Sequence, residues 1–132
     1  MPSHGYQDLV VWQRAMVFVT SIYRSTECFP KTEIFALTNQ IRRAVVSVPS
    51  NIAEGRGRNS DKEFVRYISI AYGSLMETET QLQIACNLGY IEQAEVERLL
   101  ADSAEIGRML NGLSRSLGPD KNKGNRRLTT ED

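Results

Sequence analysis

The chain has 132 residues and a mass of 14.9 kDa, which is the size of one ordinary domain with a single core. It carries 16 basic and 16 acidic residues, and this net charge of zero does not indicate a globally basic nucleic-acid binder. With 41% hydrophobic residues it is too apolar to be disordered, yet its apolar runs are too short for a membrane-spanning helix. The start of the chain shows no secretion signal, so we expect a cytoplasmic protein with two reduced cysteines.

The first two helices are predicted over residues 8–26 and 32–54, with Asp8 and Thr32 as their N-caps. Pro49 lies inside the second helical pattern and predicts a kink near residues 45–49. Apolar residues three and four apart define one core face on each helix. These residues are Leu9, Trp12, Met16, Val19 and Tyr23, then Leu37, Ile41, Val45, Val48 and Ile52.

The third and fourth helices show the clearest periodicity, over residues 60–89 and 93–117. Ser60 as N-cap and Glu63 three residues later form the pattern of a capping box, and Gly89 is placed to end the third helix. Alternating steps of three and four again define the core faces. These faces are Phe64, Ile68, Ala71, Leu75, Thr78, Leu82 and Ala85, then Val96, Leu99, Ser103, Ile106, Leu110, Leu113 and Leu117.

Four helices joined by short links predict an all-α fold, an antiparallel up-down-up-down four-helix bundle with a kinked second helix. We expect an N-terminal arm over residues 1–7, the bundle over 8–117 and a disordered polar tail over 118–132. Helices 1 and 3 also carry apolar residues outside their core faces, among them Tyr67, Tyr72 and Met76. These residues indicate either a broad core or, as we favour, a subunit interface.

The sequence offers little for catalysis or metal binding. Its single histidine, His4, lies at the N-terminus, so neither a histidine-ligated metal site nor a histidine-based catalytic triad is expected. The stretch from Gly55 to Ser60 begins like a dinucleotide-binding loop but follows a helix rather than a strand. We therefore predict no metal, no cofactor and no enzymatic activity.

Charge placement is the remaining signal. Residues 31–66 contain seven basic and four acidic side chains, whereas residues 77–105 contain seven acidic and one basic. Four arginines in the basic region, Arg42, Arg43, Arg56 and Arg58, form a candidate nucleic-acid-binding surface, because guanidinium groups suit phosphate. The alternative is that these arginines pair with carboxylates within or between subunits, and the residues alone favour that alternative.

Residues 6–117 resemble the small bacterial four-helix-bundle proteins known as S23 or 23S rRNA intervening-sequence proteins. The resemblance rests on residues 6–13, on residues 37–55 around Pro49-Ser50-Asn51 and ending at Glu54-Gly55, and on residues 60–82. It implies an up-down bundle that assembles as a homopentameric ring. A related branch, the accessory variability proteins of diversity-generating retroelements, is strongly basic and binds a reverse transcriptase and its RNA, whereas this chain has a pI near 6.6.

The residues of this motif also have a structural interpretation. Pro49 sets the kink, Ser50 and Asn51 satisfy backbone groups that it leaves unpaired, and Gly55 is the C-cap of the helix. Glu54 pairs with an arginine of a neighbouring subunit.

Two hypotheses follow. In the first, the protein is a non-enzymatic pentameric scaffold that binds RNA through Arg42, Arg43, Arg56 and Arg58. In the second, it is a ring that binds a protein partner, its arginines form intersubunit ion pairs, and no nucleic acid is bound.

Overall fold

The computed structural model describes residues 5–118, and it confirms the all-helical fold. The four helices are α1 (Val10–Ser25), α2 (Leu37–Arg56), α3 (Asp61–Asn87) and α4 (Gln93–Leu117). Short 3₁₀ turns span Tyr6–Asp8, Thr26–Cys28 and Lys31–Glu33. Each helix packs against the next along the chain, and α1 packs against α4, which closes a four-helix bundle. His4, most of the predicted arm and the predicted tail beyond Gly118 lie outside the described residues.

The ends of α3 are as the sequence predicts. The Glu63 backbone N–H donates to the Ser60 hydroxyl oxygen at 3.1 Å, so Ser60 caps the helix. At the other end Gly89 adopts a positive φ of 78°. The amides of Gly89 and Tyr90 donate to the carbonyls of Cys86 and Ala85 at 3.0 and 2.9 Å, which is the Schellman pattern of helix termination.

The predicted starts of α1 and α2 are wrong. Asp8 ends a 3₁₀ turn, and α1 begins at Val10 with Leu9 at the N-cap. Thr32 lies in the 3₁₀ turn Lys31–Glu33, and α2 begins only at Leu37. The Leu37 amide donates to the Glu33 carboxylate at 3.1 Å, so a glutamate from the preceding turn satisfies the first amide of α2.

The predicted core faces of α2, α3 and α4 are largely confirmed, whereas that of α1 is confirmed only in part. Leu9, Trp12 and Val19 are partly buried against the core, and Met16 and Tyr23 are exposed. The α2 face from Ile41 to Ile52 and the α3 face from Phe64 to Ala85 are buried, and the α4 face is buried from Val96 to Leu110. On α1 the buried residues are Val11, Ala15, Phe18 and Ile22. Both sets on α1 have helical spacing and differ by a rotation of about 100°, so periodicity alone does not select the inner one.

Pro49 is buried inside α2, which is assigned as one continuous helix from Leu37 to Arg56. The kink expected there stays a prediction. Gly55 is not the C-cap of α2, because the helix continues through it and Gly57 occupies the C-cap position. Tyr67, expected at an interface, is buried within the bundle, where it packs against Gly55.

Candidate functional site

The four candidate arginines lie in two separate pairs. Arg42 and Arg43 are in the first half of α2, whereas Arg56 is its last residue and Arg58 follows two positions later. Arg42 and Arg56 are fourteen residues apart, which corresponds to roughly 21 Å along a helix axis. The structure therefore brings the arginines together only in pairs.

Arg42 is engaged by the end of α1. Its Nε donates to the Thr26 hydroxyl oxygen at 2.9 Å and its Nη2 donates to the Tyr23 carbonyl at 3.1 Å. The guanidinium carbon lies 4.6 Å from the centre of the Tyr23 ring. A cation is favourable here because the last carbonyls of a helix carry partial negative charge. Arg42 thus joins α2 to α1.

Arg58 is engaged by α2 and α3. Its Nη2 forms an ion pair with Glu54 at 3.1 Å and donates to the Tyr67 hydroxyl at 2.7 Å, and its guanidinium lies 5.1 Å from the Tyr67 ring centre. Tyr67, and to a smaller degree Glu54, raise the pKa of Arg58 above its ordinary value. Glu54 thus has an arginine partner within its own chain, in addition to any partner in a neighbouring subunit.

Arg43 is the most available member of the set. It is exposed, and within residues 5–118 it makes no hydrogen bond or ion pair. It lines two neighbouring pockets of about 380 and 300 Å³, one bordered by α1 and the other by α3. Arg56 is also exposed, at the end of α2. Arg43 is therefore the candidate arginine best placed to contact a ligand.

Ser47 and Asn51, on either side of Pro49 in the sequence, hold α2 against α3. Asn51 Nδ2 donates to the Ser47 carbonyl and to the Ser47 hydroxyl, both at 2.8 Å. The Ser47 hydroxyl in turn bonds the Ser74 hydroxyl of α3 at 2.8 Å. Pro49 lacks the N–H that would serve the Val45 carbonyl, so Asn51 does bond a backbone carbonyl, but not the one that the proline leaves unpaired. Ser50 is exposed rather than part of this network.

Gly55 marks a close approach of α2 to α3. A Cβ atom built on it would lie 2.5 Å from the Tyr67 Cβ and 3.0 Å from the Phe64 Cδ1. Any other residue would force the helices apart. The glycine of the motif is therefore required by helix packing rather than by chain termination.

An apolar groove of about 410 Å³ runs between α1 and α2, and we call it the α1–α2 groove. Its walls are mainly apolar and are formed by Tyr6, Trp12, Met16, Val19, Val46, Pro49, Ser50 and Ala53. The Tyr6 ring stands edge-on to Trp12 at 5.1 Å, so the 3₁₀ turn before α1 closes one end of the groove. Three of these residues belong to the α1 face that was predicted to lie in the core.

Sequence reasoning missed the connection between α1 and α2. Phe35 is 93% exposed and its neighbour Ile34 is 53% exposed, whereas large apolar residues are normally at least partly covered. The sequence contains a signal for this exposure, because Ile34 and Phe35 follow Pro30 and fall outside the spacing of three and four that the apolar residues of α2 show. Val17 on α1 is also 65% exposed.

Neither a metal site nor a membrane span emerges from the described part of the chain. Among residues 5–118 no cluster of three or more histidine, cysteine, aspartate or glutamate side chains is arranged to hold a metal ion. None of the helices in that range is both long and apolar enough to cross a membrane.

Comparison with known proteins agrees with this architecture. The family model for the 23S rRNA-intervening sequence protein matches residues 7–112. A solved structure of a protein of unknown function from the S23 ribosomal protein family of Bacteroides thetaiotaomicron is 26% identical, with a TM-score of 0.74. The match covers 80% of this chain and 96% of that chain. No curated protein matches the chain.

Proposed function

Because the chain belongs to the 23S rRNA-intervening sequence protein family, we propose that it is a non-enzymatic scaffold that assembles as a homo-oligomer through its α1–α2 side. The observation that carries the proposal is the apolar surface on this side, where Phe35 protrudes and the α1–α2 groove is open. Burial of exposed apolar area in an interface is favourable by about 25 cal/mol per Å². Clustered exposure is typical of an interaction surface.

The arrangement suits contact between successive copies. Phe35 precedes α2, whereas the α2 wall of the groove begins at Val46, roughly 14 Å farther along the helix. The phenyl ring therefore does not fill the groove of its own chain but is available to the groove of a neighbour. An interface between two different patches is heterologous, and it closes into a ring when the rotation between copies permits. We propose a ring of five subunits.

Light scattering coupled to gel filtration tests this assembly. We expect the wild-type chain to run as one species with a mass several times 14.9 kDa. Phe35→Asp should shift the mass towards that of the monomer, because a carboxylate would have to be desolvated in the groove. Leu88→Asp is the matched control, since Leu88 is 55% exposed but lies at the end of α3. A monomeric wild-type chain at micromolar concentration would contradict the proposed assembly. A Phe35→Asp variant with the oligomer mass of wild type would show that Phe35 is not part of the interface.

RNA binding is the second candidate function, favoured by the exposure of Arg43 between two pockets. Arg42 and Arg58 are engaged by protein groups, so we propose that Arg43 makes the first phosphate contact. A ring would multiply a weak contact by avidity. The remaining alternative is a ring that binds a protein partner and no nucleic acid.

A fluorescence titration with a labelled structured RNA, at low and at physiological salt, separates these alternatives. Binding should weaken steeply with salt, because each phosphate contact releases counterions. The variant Arg43→Ala should bind less tightly, whereas Arg108→Ala, which removes an exposed arginine of α4, should behave as wild type. Absence of binding at low salt would leave the protein-partner alternative.

We also propose that the protein is cytoplasmic and catalyses no reaction. Cell fractionation tests the location. An activity that copurifies with the chain and is lost with a point variant would contradict the non-enzymatic assignment.

A further inference from the structure

Both cysteines of the chain line one cavity, although they are 58 positions apart in the sequence. The cavity has a volume of about 650 Å³ and lies where α1 and α3 end and α4 begins. Cys28 is exposed in the connection that follows α1, and Cys86 is half-buried near the end of α3. Both are free thiols in the structure. Nothing in the assembly surface or in the arginines involves this cavity.

The Cys28 sulfur contacts the turn that closes over Cys86. The Cys28 thiol donates weakly to the Ser25 carbonyl at 3.4 Å and lies 3.6 Å from the Tyr90 carbonyl oxygen. Tyr90 belongs to the Schellman turn in which the Gly89 amide donates to the carbonyl of Cys86 itself. The two cysteines therefore contact the same short backbone segment.

The start of α4 gives a second common point of contact. The Cys86 thiol donates to the Gln93 side-chain oxygen at 3.3 Å, and Gln93 is the first residue of α4. Ser25, whose carbonyl Cys28 contacts, donates its hydroxyl proton to Glu95, two residues farther along α4. Both thiols are thus held around the first turn of one helix and face a shared, open space.

We propose that Cys28 and Cys86 form a reversible intramolecular disulfide when the protein meets a peroxide. The exposed Cys28 thiolate attacks one peroxide oxygen, which gives a sulfenic acid at Cys28 and releases one water from hydrogen peroxide. The Cys86 thiolate then attacks the Cys28 sulfur, the S–S bond forms, and the sulfenic hydroxyl leaves as a second water. Two thiols lose two electrons and two protons, and one peroxide gains them. A dithiol reductant reverses the step by thiol–disulfide exchange.

Formation of the disulfide requires a movement of the connection after α1 rather than of α3. A disulfide holds its two Cα atoms about 4.4–6.8 Å apart. Cys86 is fixed in a long helix, whereas Cys28 ends a single 3₁₀ turn, so the segment around Cys28 moves to meet it. The closed loop then contains the whole of α2 and nearly all of α3. A cross-link that closes so long a loop restricts the unfolded chain strongly.

The experiment treats the reduced full-length chain with hydrogen peroxide at low protein concentration, then removes the oxidant. Intact mass should fall by the mass of two hydrogen atoms per chain. A peptide map without reductant should contain a linked pair of peptides carrying Cys28 and Cys86. The melting temperature should rise by roughly 10 °C and return to the reduced value after treatment with a dithiol.

Cys28→Ser and Cys86→Ser are the matched variants, and serine preserves the size of each side chain. Neither variant should show the mass loss or the rise in melting temperature. Oxidation of the wild-type chain that stops at sulfinic acid on Cys28 would overturn the proposal. So would disulfides found only between chains, which would show that the cavity does not bring the two sulfurs within bonding range.

Discussion

Replacing Gly55 with alanine tests whether the α2–α3 contact determines this residue. The added Cβ would lie 2.5 Å from the Tyr67 Cβ, whereas unstrained carbon atoms are about 3.5–4.0 Å apart. The helices would have to separate by about 1 Å or more, since neither Cβ atom can turn away. Overpacking of this kind costs about 1–3 kcal/mol. Alanine regains about 1 kcal/mol of helix propensity over glycine, so we expect a net loss of up to about 2 kcal/mol.

Urea unfolding at fixed protein concentration measures this loss, and a fall of up to roughly 8 °C in melting temperature should accompany it. Gly73→Ala is the control, because Gly73 is an exposed residue of α3 and a Cβ built there has no neighbour within 4 Å. That variant should be more stable than wild type by about 0.5–1 kcal/mol. Gly55 is not among the glycines with positive φ, so backbone strain does not complicate the comparison. If Gly55→Ala were as stable as Gly73→Ala, the packing argument would be refuted.

Two further predictions concern ion pairs and hydrogen bonds. Arg42→Ala should destabilise the fold by about 1–2 kcal/mol, because the Tyr23 carbonyl and the Thr26 hydroxyl lose their hydrogen-bond donor. Arg43→Ala should change the free energy of unfolding by less than about 0.5 kcal/mol. Equal losses for the two arginines in urea unfolding would contradict this contrast. Arg98, and then the Ser25 hydroxyl, lower the pKa of Glu95. The Glu95 carboxylate therefore stabilises the fold above its unfolded-state pKa of about 4.3. This contribution is lost as the pH falls through the pKa of Glu95 in the folded protein. Glu95→Gln should therefore show a shallower loss of stability below about pH 4.3, and an unchanged slope would remove Glu95 from the acid dependence.

The sequence was sufficient for the helices in which one apolar stripe dominates. In α4 a single set at heptad spacing lies between polar residues, and in α3 the heptad set from Phe64 to Ala85 is unbroken along the helix, so hydrophobic burial favours one orientation. In α1 two such sets exist, one led by Val11 and Phe18 and the other by Trp12 and Met16. Which set faces inward depends on how α1 packs against α2 and α4, and that is a property of the whole bundle.

The candidate arginines show the same limit. Their clustering along the chain was visible, but the partners that engage them come from distant positions. Tyr23 and Thr26 reach Arg42 from α1, and Tyr67 reaches Arg58 from α3. These contacts depend on how the helices pack. Periodicity within one helix does not specify them.

The segment around Pro49 is best understood as two interleaved stripes on one helix. Ser47, Asn51 and Gly55 are four residues apart and hold α2 against α3 through hydrogen bonds or close contact. Val46, Pro49, Ser50 and Ala53 lie on the neighbouring face and form the α2 wall of the α1–α2 groove. The first stripe fixes the position of α2 in the bundle, and the second presents a surface that the bundle itself leaves open. A change in the first stripe should therefore lower the stability of the fold. A change at exposed Ser50 in the second, such as Ser50→Asp, should reduce oligomer mass in light scattering while leaving the helical content of the chain unchanged.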